Sequence, residues 1–233
     1  MNSKCSIVWH GHSCFQIFYD NKSVMLDPLI SGNAKSPCNV DKLEKVDLLL
    51  LTHEHKDHIG DTVVISNKFD CPVGIPVGLA EQLITDGLQE KNVLNKIGFN
   101  IGGTIEYQAF SVTMVEAFHT TNTVPAVGYI IRLPNNYTIY HSGDTGIFAN
   151  MQIWGELYPI DLALLPIGGV FTMDERQAAF ATTLLKAKKV IPMHWETFPS
   201  LAQNTKRFVS EMKKIAPNCE YILAELGKKI MLD

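Results

Sequence analysis

Residues 48–61 read LLLLTHEHKDHIGD, and the fold is decided there. Leu48, Leu49, Leu50 and Leu51 form a short unbroken apolar run, the pattern of a strand buried on both faces. Thr52 follows. His53, His55, Asp57 and His58 then arrive within six positions, before Gly60 and Asp61. A polar cluster that begins where a buried strand ends lies where ligands collect in open α/β sheets, outside the carboxyl ends of the strands. Neutral imidazole together with carboxylate suits zinc and similar divalent ions. In extended backbone His53 and His55 share a face, whereas Asp57 and His58 follow a bend, so one loop offers two ligands to each of two metals. A His-rich surface turn would explain HxH alone. HxHxDH directly after an apolar strand favours metal binding.

Composition sets the frame around that stretch. The chain has 233 residues, 46% hydrophobic and 19% charged, as in an ordinary globular protein. Without a linker, low-complexity run or short repeat, it reads as one domain over 1–233. No apolar run reaches the roughly 18 residues of a spanning helix. The start, MNSKCSIVWHGHSCF, lacks the apolar core of a secretory signal. Cys5, Cys14, Cys38, Cys71 and Cys219 are odd in number and scattered, which argues against a disulfide framework and for a reducing, cytoplasmic setting. Net charge is −4, unevenly spread: nine of the twenty Lys+Arg lie from Lys186 onward, against five acids. Lys206 and Lys213, and Arg207 and Lys214, are each seven apart and share a helix face, which reads as solvated rather than as an anion-attracting surface. There is no basic footprint of a dedicated nucleic-acid binder, and assembly into a homo-oligomer is compatible with the chain.

In order, strands are expected at 6–9, 15–19 and 23–26. The third ends in Asp27-Pro28, where proline steers Asp27 away from helix. Asp27 suits either a surface turn or an acceptor for a ligand histidine, and His12, between Gly11 and Ser13, has the same two readings. After the cluster come a strand at 73–75, a helix at 78–86 stopped by Gly87, and strands at 93–94, 104–107 and 110–115. His119 follows the last of these. A hairpin at 128–133 and 137–140 leads to His141-Ser142-Gly143-Asp144-Thr145-Gly146, where the glycines let backbone approach a bound group. A strand at 161–165, a helix at 174–186 with an Ala178, Ala181, Leu184 and Leu185 core stripe, and a strand at 190–193 bring in His194. Ser200 is the expected N-cap of a helix to about residue 215, and strands at 221–223 and 229–232 close the chain. Five of the eight histidines thus stand in loops after apolar runs, where strands converge on one crevice.

HEHKDH at 53–58, His119, GDTG around Asp144 and PMHWETFP around His194 resemble the metallo-β-lactamase superfamily. GHSCF at 11–15, LDP at 26–28 and GGVFTM at 168–173 are similar to the small metal-dependent hydrolases related to ascorbate-6-phosphate lactonase and, more distantly, N-acylphosphatidylethanolamine phospholipase D. The resemblance covers residue 5 to the C-terminus. It implies an α+β fold, an αββα sandwich of two facing mixed sheets with helices outside and metals at one edge. It implies that His53, His55 and His119 hold one metal, that Asp57, His58 and His194 hold the other, and that Asp144 bridges them. Diiron relatives carry Glu where this chain has His55, which favours zinc or manganese. RNA-processing members carry an inserted domain for which this chain has no room.

The implied function is a binuclear metal-dependent hydrolase that attacks a small anionic ester, lactone or phosphodiester with a metal-bridging hydroxide, generated at neutral pH by two divalent ions. Asp57 and Asp144 are the candidate catalytic carboxylates for proton transfer. Asp27, Asp61 and His12 are candidates to support the ligands. Phe171, Trp195, Phe198 and Tyr129 are candidate pocket residues, with Arg132 and Arg176 among the few nearby cations. Thr197 is a further candidate lining residue. An RNA or DNA phosphodiesterase, and a non-catalytic metal-binding protein of the same fold, are the alternatives. Asp144 and the cytoplasmic reading disfavour a β-lactam substrate.

Overall fold

The computed structural model describes residues 5–232; residues 1–4 and 233 of the expected domain lie outside the described residues. In chain order the strands begin with β1 (Cys5–Gly11), β2 (Cys14–Tyr19), β3 (Lys22–Leu26), β4 (Leu48–Leu50) and β5 (Val73–Gly74). They continue with β6 (Thr104–Tyr107), β7 (Phe110–Glu116), β8 (Val127–Arg132), β9 (Thr138–His141), β10 (Leu162–Pro166), β11 (Lys189–Met193), β12 (Glu220–Tyr221) and β13 (Lys229–Met231). The helices are α1 (Lys56–Ile59), α2 (Thr62–Phe69), α3 (Ala80–Thr85), α4 (Met151–Leu157), α5 (Glu175–Leu184) and α6 (Lys206–Ile215).

Two mixed sheets result, one ordered β13-β1-β2-β3-β4-β5 and the other β12-β11-β10-β9-β8-β7-β6. The two-residue period of a strand explains how they stack. Leu48 and Leu50 face the core between the sheets, with Ile7, Phe15, Met114 and Leu164. Leu49 and Leu51 point the other way, into a second core with Ile65 of α2 and Leu83 of α3. In the second sheet Leu162 and Leu164 face inward, while Ala163 and Leu165 pack with Ala178 of α5 and Phe208 of α6. Helix, sheet, sheet and helix therefore form four layers, the expected αββα sandwich. β1, β3 and β4 run parallel to one another, as do β7, β9, β10 and β11. Their carboxyl ends gather at one edge, which is where His12, Asp27, His53, His119, Asp144 and His194 stand.

Local chemistry explains most boundaries. Asp174 caps α5 by accepting from Gln177 N at 2.8 Å, with the Gln177 side chain reaching back, a capping box. Several expectations are corrected. Asp27 does end its strand, but at φ 43° rather than in extended backbone; Asp is among the residues that tolerate this region, and its carboxylate is fully engaged there, as described below. Val93 makes only an isolated bridge to Val73, between 3₁₀ turns at Glu90–Asn92 and Leu94–Lys96, not a strand. The helix expected from Ser200 begins at Lys206, because residues 200–205 turn back and Ala202 N donates to Gly168 O at 3.0 Å. Lys206, Arg207, Lys213 and Lys214 are exposed, Arg207 pairing with Asp174 and Glu175, so the basic face is solvated as read. Tyr129 lines no pocket: it is fully buried between the sheets and its hydroxyl donates to Leu51 O.

Among the described residues no helix is long and apolar enough to cross a membrane. The Tyr129 hydroxyl ties β8 to the chain leaving β4, directly below the histidine cluster. Tyr129→Phe leaves the buried Leu51 carbonyl unpaired and should cost about 1–2 kcal/mol in chemical denaturation. An unchanged unfolding midpoint would show that this tie contributes nothing.

Candidate metal centre

The site is assembled from Asp27 outward. This carboxylate is completely buried at the end of β3. Its Oδ1 accepts from Thr52 N at 2.9 Å, and its Oδ2 accepts from Thr52 Oγ1 at 2.7 Å and faces His58 Nδ1 at 2.8 Å. Because the Thr52 hydroxyl gives its proton to Asp27, its oxygen accepts from His53 Nδ1 at 3.0 Å. With Nδ1 of each ring committed to this carboxylate and hydroxyl, Nε2 is the atom that each ring turns toward the cluster, the atom through which it would bind a metal. The single turn of α1 follows, with His55 at its N-cap, and carries Asp57 and His58 round to the second side.

His53, His55 and His119 converge with one ring nitrogen each within 4.8 Å of the others. His53 Nε2 lies 3.0 Å and His119 Nε2 3.2 Å from His55 Nδ1. Burial pushes His53 and His119 below the usual imidazole range, which keeps both rings neutral, the form that binds a metal. On the other side His12, Asp57, His58 and His194 form a second group within the same 4.8 Å. Asp144 stands between the groups. Its Oδ2 lies 3.0 Å from His194 Nε2, 3.3 Å from His58 Nε2 and 3.8 Å from His119 Nε2.

The electrostatics ask for a cation. Burial works to raise the Asp144 carboxyl, but the His58 and His194 rings beside it hold it well below the usual carboxylate range. Burial also opposes charge on His58, but Asp144 and Asp27 keep its ring well above the usual value. The distances from Asp144 to His58 and His194 allow ion pairing, yet the angles make no hydrogen bond. His58 Nε2, His194 Nε2 and Asp144 Oδ1 are buried without a hydrogen-bond partner. Buried polar atoms are rarely left so. Donors of this kind, aimed inward and otherwise orphaned, fit divalent metal ions.

The supporting candidates divide. Asp27 holds His58 directly, as above. His12, at φ 53° and almost fully buried, is held down to about 4 by burial against the opposing pull of Asp57. As a neutral ring it donates Nε2–H to Asp57 Oδ2 at 3.1 Å and accepts at Nδ1 from Thr197 Oγ1 at 2.9 Å, since carboxylate can only accept. Asp61 is further out: its Oδ2 accepts from Ile30 N and Ser31 N, so it pins the loop after Asp27 and reaches no ligand. Trp195 stacks on Trp9 and donates to Pro192 O. Arg132 lies at the end of β8 away from the cluster, since Val127 at the near end donates to Thr52 O. Arg176 lies on the exposed first turn of α5. His141 is a core histidine, facing Ser13 O and accepting from Gly143 N.

Glu54 was not among the sequence candidates. It sits between His53 and His55, mostly buried, and its carboxylate accepts from the backbone of Asn122, Thr123 and Val124 in the loop that carries His119. Its signal is a carboxylate set directly between two candidate ligands, His53 and His55.

A model of the beta-lactamase superfamily domain matches residues 22–195. A UPF0173 metal-dependent hydrolase of Nitratidesulfovibrio vulgaris is 48% identical over 227 residues, covering 97% of this chain and 95% of that protein. Another, from the archaeon Caldivirga maquilingensis, is 39% identical over 96% of each chain. Among solved structures, Igni18, a metallo hydrolase from Ignicoccus hospitalis, superposes with a TM-score of 0.88 at 32% identity, covering 99% of both chains.

Glu54→Ala strands three backbone donors at once. It should cost about 1–3 kcal/mol, the range for buried groups left unsatisfied, and speed amide exchange at residues 122–124 before the rest of the second sheet. Protection there equal to wild type would rule out the latch.

Proposed function

The chain belongs to the β-lactamase superfamily and is a metal-dependent hydrolase; from that membership we propose that it cleaves a small anionic ester, lactone or phosphodiester at a centre of two divalent ions. The observation that carries this reading is Asp144, a buried carboxylate placed between two separate groups of inward-facing donors. In this assignment His53, His55 and His119 hold one ion, Asp57, His58 and His194 hold the other, and Asp144 serves both. When bound, such ions lower the pKa of coordinated water toward about 7 and polarise the oxygen under attack.

The protein's own groups do the rest. Asp27 and Thr52 fix the rings of His58 and His53. His12 holds the Asp57 carboxylate through one nitrogen and is itself held by Thr197 through the other. Asp57 keeps 30% of its side chain exposed, whereas Asp144 keeps 3%. Proton exchange with the substrate is therefore assigned to Asp57, and Asp144 to holding the two halves together. The imidazole-rich donor set suits zinc, and the carboxylates admit manganese.

One domain over 1–233 is part of the same reading, and the pairing of β1 with β13 supports it. Thiols without disulfide partners agree with a cytoplasmic setting.

Metal analysis of protein purified without an affinity tag for metal should give close to two equivalents, and Asp57→Ala should lose mainly one of them. A chelator should abolish turnover of bis-p-nitrophenyl phosphate or of a lactone, and zinc or manganese should restore it. Full activity in metal-free protein would refute the assignment. Turnover of RNA alone, with a steep fall in salt, would replace it with a nuclease.

A further inference from the structure

Four loops of the second sheet lie beside the donor cluster, and three of them present exposed hydrocarbon. Phe118, next to His119, is 61% exposed; Val170 and Phe171, in the loop after β10, are 63% and 60% exposed; Phe198, after His194, is 40% exposed. Phe148, four residues beyond Asp144, is half-buried and stacks on Phe118 with centroids 4.9 Å apart.

These loops form one continuous wall. Phe118 N donates to Thr145 Oγ1 and Gly146 N to Phe118 O, tying the first loop to the second. Met173 N donates to Thr145 O, tying the second to the third, and Ala202 N to Gly168 O, tying the third to the fourth. The wall starts at the donors themselves. Gly168 is so close to His194 that a Cβ there would lie 3.1 Å from its Nδ1. The edge of Phe198 meets the His12 ring at 5.5 Å and 74°.

Charge on the wall is nearly absent. Residues 117–119, 145–150, 167–173 and 195–201 carry one formal charge, Glu196, which is paired with Lys35. The HEHKDH turn adds Lys56 on the side of the first sheet. A second anionic group on a substrate would therefore find no counter-charge on these four loops. Ligand sites are mostly apolar, with a few polar groups placed to orient, and here the polar groups are the donor cluster and the apolar part is the wall.

Resting on the hydrolase reading above, we propose that the wall formed by Phe118, Phe148, Val170, Phe171 and Phe198 is the specificity subsite, and that the substrate carries an uncharged apolar group, acyl or aromatic, next to its hydrolysable bond. The anionic character of the substrate is then confined to the reacting group.

The test compares substrates that differ only in apolar length: p-nitrophenyl acetate, butyrate and hexanoate, and methyl, butyl and hexyl p-nitrophenyl phosphate. With the metal-loaded protein, kcat/KM should rise by up to about fourfold per methylene in whichever series is turned over. Phe171→Ser and Phe198→Ser should lower the ratio of the hexyl to the methyl compound about tenfold, whatever their absolute rates. Calorimetric titration of the same protein with acetate, butyrate and hexanoate gives a readout that needs no turnover, and affinity should climb with chain length. Lack of turnover in both series would count against the ester and phosphodiester readings of the proposed function but leave the calorimetric result to decide the wall. A wild-type preference that is flat with length, or a steep one untouched by both substitutions, would overturn the subsite. So would light scattering that shows a dimer which Phe171→Ser dissociates, since the wall would then face a second copy.

Discussion

A completely buried carboxylate, Asp27, holds this site together. Burying a carboxylate without partners costs several kcal/mol, so it must be hydrogen-bonded. Asp27 meets that demand with the backbone and hydroxyl of Thr52 and the ring of His58. Three segments that are far apart in sequence, the end of β3, the end of β4 and the first turn after it, are thereby locked to one group of atoms. The positions of His53 and His58 are consequences of that lock, and the position of Asp144 between the donor groups is meaningful only because those two rings are fixed.

The same edge concentrates unfavourable backbone. His12, Asp27 and His194 all have φ between 43° and 55°, a region that costs non-glycine residues roughly 1–3 kcal/mol each. Each is held there by contacts that outweigh the strain. Asp27 has its three hydrogen bonds, His194 N donates to His12 O at 3.1 Å, and the indole of Trp9 donates to the same carbonyl at 2.9 Å. The strain turns side chains into the crevice that a regular strand end would leave pointing along the sheet. Gly143 serves the same purpose where a side chain does not fit: at φ 58°, a Cβ would meet Val127 O at 2.4 Å.

How much of this could be read from residues alone follows the distance between partners. Asp57 and His58 lie in the same six-residue cluster as His53 and His55, so the cluster announced itself. His119, Asp144 and His194 stood out because each follows an apolar strand, and the layered fold was legible from the family resemblance that these motifs carry, with the unbroken apolar run at 48–51 marking a strand buried on both faces. The tie from His12 to Thr197 spans 185 positions, and the latch from Glu54 to Val124 spans 70, so the pairing of neither carried a local signature. Thr62–Phe69 forms a helix despite its β-branched Thr62, Val63, Val64 and Ile65, because Ile65 is buried in the outer core; tertiary packing overrode propensity. The expected start at Ser200 failed for a related reason: its segment is recruited to Gly168 beside His194 rather than left to propagate a helix. Tyr129 misled because an aromatic in a strand near the site can face either side of the sheet, and it faces the core.

The pairing of β1 with β13 sets Ser6 opposite Met231, so two strands far apart in sequence complete one sheet. The donor cluster is joined in the same way, with His194 N donating to His12 O. The cluster therefore depends on contacts between distant segments, and contacts of this kind are slow to nucleate. The arrangement of its donors is a property of the folded chain rather than of the HEHKDH turn alone.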